Sequence, residues 1–539
     1  MPVHTAAVVR NPVLPGSHPD PSVVRVGQDY YLATSTFEWC PGVQLHHSRD
    51  LVHWRPLGGA LDSTRLLDLA GCPDSGGVWA PNLSFADGLF HLVHSNVSTY
   101  AGGFTDVPNY LVTASCIEGP WSDPVLLHSR GFDASLFHEG SDSWLLNMVH
   151  DWRPGHGGSA GLEATRYDRT TRSLAGDPAP VELPAGAGWI EGPNLYRRGD
   201  WYYLLTAEGG TGYQHQVSVS RSRSLAGPYE RDPHGPLITA RDHPELPLQK
   251  AGHGSLVETA SGQWYLAYLA ARPQGTLGPC VLGRETALAP VTWTPDGWPR
   301  SGTGLPAAEV PAPDLPATPW AAPEEVDGFD QARLGPHWST LRRPPAPDWL
   351  SLTERRSHLR LRGGRSPLSL VGPSLVARRV TAARCTFEAT MEYRPRLHQH
   401  LAGITAYYNT RNWYYLYVTA DDHGQAQLRM ARCDRGALTA DGTPQAALSG
   451  STRIRLGLDF DGPELRFRFD GGAGWESFGP PLDATALSDE HAEEYEADGR
   501  IRALGFTGAF VGLWAWDLTG QGHHADFDEA VYVAGAGPA

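Results

Sequence analysis

None of the six cysteines, Cys40, Cys72, Cys116, Cys280, Cys385 and Cys433, stands in a C-x-x-C pair, so a zinc site is not expected. Scattered along so long a chain, they read as free, buried thiols. A basic stripe is also missing. With a formal net charge of −16, the chain offers nothing to a nucleic-acid backbone, and the acidic balance reads as solubility. No stretch approaches the ~20 apolar residues of a membrane span, so no membrane partner is expected. The opening Met1-Pro2-Val3-His4-Thr5 has no basic region followed by an apolar run. A secretory signal is therefore not expected, and the chain as given reads as cytoplasmic. Long apolar runs are few, whereas 61 Gly, 45 Pro, 18 Trp and 20 Tyr are present. That balance favours an all-β protein. At 539 residues the chain exceeds one ordinary core, so two or more domains are expected.

What is present is a degenerate repeat. Asp20-Pro21-Ser22-Val23 precedes Asp29-Tyr30-Tyr31-Leu32, and Trp79-Ala80-Pro81-Asn82-Leu83 precedes Leu89-Phe90-His91-Leu92. Asp133-Ala134-Ser135-Leu136 precedes Ser143-Trp144-Leu145-Leu146. Trp189-Ile190-Glu191-Gly192-Pro193-Asn194-Leu195 precedes Trp201-Tyr202-Tyr203-Leu204. His253-Gly254-Ser255-Leu256 precedes Gln263-Trp264-Tyr265-Leu266. Copies of short aromatic strands and turns, roughly fifty to sixty residues apart, are the signature of a β-propeller. Five copies imply five blades over residues 1–303. Their starts carry Asp20, Trp79, Asp133, Glu191 and His253, which a propeller would gather at one axis. Late in the copies, Trp54, Trp121 and Tyr229 read as aromatics wedged between blades.

The stretch 304–326 is rich in Pro and Ala and reads as a stiff, extended linker. From Asp327 to residue 539 the pattern alternates at period two, as in Cys385–Tyr393, Ile454–Phe460 and Leu465–Phe469. Ile404–Tyr408 and Trp413–Val418 suggest a hairpin. No repeat of the first kind recurs. A β-sandwich of the jelly-roll or concanavalin-like type is the expected second domain.

Three acids at one axis point to glycoside hydrolysis. That chemistry needs one protonated carboxyl for the leaving oxygen and one ionised carboxylate, either activating water from the opposite face or attacking directly. A third carboxylate beside the acid would raise its pKa. The structural alternative for any one of them is a turn or cap residue. Equivalent placement in different copies favours the functional reading.

The run Asn11–Ser22, with Thr34–Trp39 and Pro41–Gln44, resembles the opening of glycoside hydrolase family 43, in its β-xylosidase branch. The resemblance continues through Thr206–Tyr213, Gly252–Ser255, Arg284-Glu285-Thr286 and Phe506–Gly512, over both domains. It implies that Asp20 is the general base, Asp133 the pKa-modulating acid and Glu191 the general acid. It implies apolar pocket walls at Phe37, Trp79 and Trp152, a polar contact at Thr211, and Arg284 as a fixed cation contacting sugar hydroxyls. The alternatives are propeller core for Phe37 and an inter-blade salt bridge for Arg284. Phe506 or Phe510 would reach from the sandwich to the pocket mouth. No cofactor is required. Some relatives associate calcium with the histidine matching His253, but calcium prefers oxygen ligands, and one His is a weak metal signal. Relatives are often dimers or tetramers. Cys40 and Asn194 depart from the branch's aromatic and His, and both are expected near the pocket.

The expected activity is an inverting exo-glycosidase cleaving β-1,4-xylosidic bonds at the non-reducing end of short xylo-oligosaccharides, with α-L-arabinofuranosides as a second substrate class. Two alternatives compete. A retaining fructan- or sucrose-cleaving enzyme would need Asn-Asp-Pro near its start and Arg-Asp-Pro before its acid. Here His18-Pro19 precedes Asp20, and Arg231-Asp232-Pro233 follows Glu191. A non-catalytic glycan- or partner-binding propeller is disfavoured by the intact acids.

Overall fold

The computed structural model describes residues 8–101, 104–156, 158–184, 189–440, 445–448 and 452–535. The Met1–Thr5 stretch read above for a signal lies outside the described residues. No described helix is long and apolar enough to cross a membrane.

Five antiparallel sheets of the repeat region follow one another as blades. The first runs Ser22–Val26, Asp29–Thr34, Gly42–Ser48, Arg55–Leu61, and the second Gly77–Ala86, Leu89–Val97, Asn109–Ala114, Val125–His128. The third comprises Ser135–Glu139, Asp142–Asp151, Gly158–Asp168 and Ser173–Pro180. The fourth comprises Ile190–Arg198, Trp201–Glu208, Gln216–Ser222 and Glu230–Arg231, with Ile238–Thr239 added. The fifth comprises Gln249–Glu258, Trp264–Ala271, Arg284–Trp293 and Pro299–Arg300. Local chemistry makes the hairpins. Asp87 and Gly88, at φ 51° and 76°, turn the second blade with both central residues in the left-handed region, as a two-residue hairpin requires.

Blades are joined at the axis by small polar side chains that recur in each copy. Ser22 Oγ accepts from Leu83 N at 2.9 Å, Asn82 Oδ1 from Leu136 N at 2.9 Å, and Ser255 Oγ from Val23 N at 3.1 Å. Asn194 Nδ2 donates to the Gly254 carbonyl at 3.3 Å, and Ser135 Oγ to that of Pro193. The buried inner strands thus satisfy polar groups around the ring, not only within blades. The ring is closed by the segment before the first blade: Val13 N donates to the Thr286 carbonyl at 2.9 Å and His18 N to that of Arg284 at 2.9 Å. Trp121 and Tyr229 are buried between neighbouring blades, as expected.

The 304–326 segment is docked rather than free. Glu309–Pro311 pairs with Val8–Arg10, Thr318 N donates to Asp50 Oδ2 at 2.7 Å, and Trp320 packs against His47 and Arg55. Beyond it lie two antiparallel sheets. One contains Leu359–Arg362, His524–Ala534, Arg384–Glu392, Arg453–Asp461, Glu464–Asp470 and Glu476–Asp483 in that order. The other contains Ala426–Asp434, Asn412–Ala420, His400–Asn409, Phe510–Asp517, Ser374–Arg379 and Ser339–Leu341. This is the expected concanavalin-like sandwich, including the Ile404–Tyr408/Trp413–Val418 hairpin. Its core packs Phe387, Leu458, Ile404, Leu416 and Leu513 between the sheets.

The two domains share a sheet. Trp39–Cys40, from the first blade's connection, pairs with Thr340 and Leu341 as the last strand of the second sandwich sheet. Cys40 is therefore buried at the domain junction and does not line the pocket. All six cysteines are free, but Cys116 is exposed, unlike the other five.

Candidate active site

Each blade's inner strand kinks where it meets the axis. Asp20, Ala80, Asp133, Gly192 and His253 all have positive φ: 56°, 27°, 55°, 59° and 39°. L-residues other than Gly rarely adopt this conformation, so its recurrence in successive copies marks a structural requirement. It also corrects the register of the repeat. Trp79 and Glu191 stand one residue before the equivalents of Asp20, Asp133 and His253. Register shifts between Trp79 and Asn82, and between Glu191 and Asn194, re-aim these side chains as bulges do. Glycine is favoured at 192: at φ 59° a Cβ would lie 3.0 Å from the His253 ring, which would have to shift.

A pocket of about 780 Å³ opens over these residues. Asp20, Asp133, Glu191, His253 and Arg284 are buried in its floor. Ser35 Oγ donates to Asp20 Oδ2 at 2.6 Å, while Asp20 Oδ1 faces Arg284 at 3.8 Å and His253 Nδ1 at 4.0 Å. Gly192 N donates to Asp133 Oδ2 at 3.0 Å, which also lies 3.9 Å from His253 Nδ1. Trp189 Nε1 donates to Glu191 Oε2 at 2.9 Å.

Burial pushes Asp133 well above the usual carboxylate range, and the charges of Glu191 and Asp20 add to it, against the pull of the Gly192 N–H. Burial likewise raises Glu191, and Trp189 draws it back in part. His253 is lowered by burial, so its imidazole is neutral near pH 7. Burial thus favours the protonated forms of Glu191 and Asp133, while one oxygen of Asp20 is fixed by Ser35.

The walls come from both domains. Phe37, Trp79, Trp152 and Thr211 line the pocket, Trp152 on the rim against Phe104 with centroids 4.7 Å apart. Phe506 reaches in from the sandwich, 5.7 Å from Trp79 and 5.9 Å from Phe37. Phe510 does not. It stacks on Trp39 at 4.0 Å inside the domain junction, as the first residue of the Phe510–Asp517 strand, whereas Phe506 lies in the connection before that strand. Asn194 also falls outside the lining: two residues below Gly192, it belongs to the inter-blade ring described above.

Several residues that build the site were not singled out from the sequence. Trp189 holds the acid, and Ser35 holds Asp20. Lys250 Nζ meets Glu490 Oε1 at 2.5 Å and lies 4.0 Å from Asp489 Oδ2, so a short helix of the sandwich, Asp489–Ala492, completes one wall. Asp489, pushed up to about 6 by burial, accepts from Tyr408. Trp189 at least sits within the repeat motif. Nothing in the spacing of Asp489 or Glu490 announces a pocket two hundred residues away.

The His253 ring faces two carboxylate oxygens at 3.9–4.0 Å, and calcium takes six to eight oxygens. Among the described residues, donor atoms close to ligand spacing at His358, Glu392 and Asp528 on the sandwich, where Arg355 and Arg453 already pair the acids.

A family model described as "Glycosyl hydrolases family 43" matches residues 9–299, and one described as "Beta xylosidase C-terminal Concanavalin A-like domain" matches residues 326–533. A Vibrio protein named xylan 1,3-beta-xylosidase is 40% identical, covering 97% of this chain and 99% of its own. The Humicola insolens xylosidase/arabinosidase 43B is 41% identical over 97% of each. The crystal structure of a xylan beta-1,4-xylosidase from Bacillus halodurans C-125 superposes with a TM-score of 0.93 at 46% identity, covering 97% of this chain and 99% of that one. On the family match, the shared two-domain order and the full-length similarity, this chain belongs to glycosyl hydrolases family 43.

Proposed function

We propose that the protein is an inverting exo-glycosidase that releases xylose from the non-reducing end of short β-1,4-xylo-oligosaccharides. One observation carries this reading. Three carboxyls and one guanidinium lie buried at the floor of a pocket whose side is closed by Phe506 and the Asp489–Ala492 turn of a second domain. A chain end fits such a pocket, whereas the middle of a polymer needs an open groove.

In the reaction, the terminal sugar rests between Phe37, Trp79 and Phe506, its hydroxyls near Arg284. Glu191 gives its proton to the glycosidic oxygen as the bond from that oxygen to the anomeric carbon breaks. Asp20 takes a proton from a water molecule whose oxygen bonds to the anomeric carbon from the opposite face. The configuration therefore inverts, and Asp20 later returns its proton to solvent as Glu191 regains one. Asp133 positions the acid and holds its proton. Arg284 balances negative charge beside Asp20 throughout.

α-L-Arabinofuranosides are a second substrate class, favoured by the Humicola relative's printed name, and the Vibrio relative's name makes β-1,3-xylobiose a necessary comparison. Short substrates suit a cytoplasmic enzyme supplied by import, and assembly as a dimer or tetramer belongs to the same reading. Proton NMR of the first-formed sugar tests the mechanism: α-xylose from a β-xyloside is expected, and first-formed β-xylose would overturn single displacement. Rates on β-1,4-xylobiose, β-1,3-xylobiose and an arabinofuranoside, compared as kcat/KM, settle the linkage and sugar. Failure to release any pentose would remove the catalytic reading.

A further inference from the structure

A second cavity, of about 330 Å³, lies between the first blade and the sandwich, away from the axial pocket. Arg378 and Arg379, the last residues of the Ser374–Arg379 strand, line it with His18, His46 and His337. Arg379 is 7% exposed. Its Nε donates to the Ser17 carbonyl at 2.6 Å and its guanidinium lies 5.5 Å from the Phe510 ring. Arg378 lies over Tyr532 at 4.2 Å, and its buried Nε has no hydrogen-bond partner among the described residues. Neither arginine forms an ion pair among the described residues.

The histidines reinforce the imbalance. The rings of His18 and His46 meet edge to face at 4.9 Å, and each has a buried Nδ1 without a partner among the described residues. His46 is 3% exposed. Burial, then the neighbouring cations, hold His18 well below the usual range, His46 at about 3 and His337 at about 4. Arg379 is itself drawn down to about 10 by burial alone, with no carboxylate to counter it. The acids nearby leave Arg379 without a counter-charge, and Asp327 offsets Arg378 only in part. Asp327 already accepts from Phe329 N and Trp338 Nε1, both at 2.8 Å, and Glu324 and Glu325 are exposed at the mouth.

A buried guanidinium without a counter-charge is costly, and proteins nearly always pair one. Here a buried Arg379 and a half-buried Arg378 line one cavity together with histidines that carry unpartnered ring nitrogens. We propose that this cleft binds a tetrahedral oxyanion, inorganic phosphate or sulfate or the phosphate of a phosphate monoester, between Arg378, Arg379 and the three histidines. Arginine's planar fork matches such an anion, and neutral imidazoles can each present an N–H to it.

The site is tied to the axial pocket by four residues of backbone. Arg379 holds the carbonyl of Ser17, His18 lines the cavity, His18 N donates to the Arg284 carbonyl, and the chain then enters Asp20. An anion on Arg379 and His18 therefore braces the segment that presents Asp20. With His46 at about 3 and His337 at about 4, the histidines act as neutral N–H donors from pH 5.5 to 8, so affinity is flat across that range, with Arg378 and Arg379 charged throughout and Asp327, Glu324 and Glu325 the opposing acids.

The test is isothermal titration of the full-length protein with sulfate, whose charge is constant from pH 5.5 to 8, with chloride at equal ionic strength as control. Inorganic phosphate and glycerol phosphate in parallel distinguish a free anion from a monoester. One saturable site is expected, with closely similar affinity at pH 5.5 and pH 8. Arg379→Gln should weaken it roughly tenfold or more, and His337→Gln, at the half-buried edge and safer for folding, about threefold. Selenate soaked into crystals should give anomalous density in this cleft. Absence of saturable binding, unchanged affinity in the His337→Gln protein, or density only in the axial pocket would overturn the proposal.

Discussion

Phe506 of the sandwich lies over Arg284 of the propeller, ring centroid to guanidinium carbon 4.6 Å. The contact joins an apolar wall of one domain to the fixed cation of the other, so the pocket is complete only when both domains are assembled. Phe506 N is in turn held by Ser75 Oγ at 3.1 Å, and the Ser75 carbonyl accepts from Trp79 Nε1 at 2.8 Å. Two walls of the pocket thus hang on one serine.

Phe506→Ala should raise KM on xylobiose several-fold while the protein stays folded, because the ring is half-buried and faces the pocket. Phe510→Ala should behave in the opposite way, costing roughly 3–5 kcal/mol of stability as a buried ring is removed from Trp39. Steady-state kinetics beside thermal melts separate the two. Equal KM effects would mean the mouth is built differently.

Glu191→Ala should lose roughly 10²–10⁴-fold in rate on xylobiose, the span typical of a positioned acid, and much less on an aryl xyloside whose leaving group departs with little proton help. Asp20→Ala should lose activity on both, since water needs its base whatever leaves. Equal losses for Glu191→Ala across leaving groups would take it out of the acid role.

The pH profile should move with Asp133. Glu191 must carry a proton to act, and burial and nearby negative charge favour that protonated form. Asp133→Asn removes the carboxyl whose titration is coupled to that of Glu191, so the pair's last proton is lost at lower pH and the alkaline limb of kcat/KM shifts down. An unmoved alkaline limb would show that the two carboxyls do not share their titration.

Arg342, fully buried, reaches from the sandwich to Asp74 Oδ1 at 2.7 Å and to the Cys72 carbonyl at 2.7 Å. Burial raises its neighbour Glu38 to about 8, with Arg342 drawing it back. Arg342→Met leaves Asp74 buried without its cation and should cost roughly 3–5 kcal/mol, read by denaturant unfolding. The double variant with Asp74→Asn should recover part of that loss. A single variant as stable as the parent would mean the pair contributes no net stability.

The repeat made the propeller legible because each blade is a local unit: alternating strands, a tight turn and an aromatic wedge are all written within one copy. Asp20, Asp133 and Glu191 were found the same way, since equivalent positions in a closed ring must meet at its axis. One residue of register was not legible. That Trp79 and Glu191 precede their equivalents appears only in the positive-φ kinks and the bulges, which depend on pairing partners. The sandwich was readable as alternating strands but not as part of the pocket. Whether Phe506 or Phe510 faces the sugar depends on where the chain leaves the sheet, and that Lys250 meets Glu490 depends on how two cores dock. Such contacts join residues hundreds of positions apart through packed surfaces. The amino-acid sequence determined the elements, their repeat and the acids at the axis; the tertiary structure alone decided which side chains close the pocket, because that is set by the docking of one domain on the other.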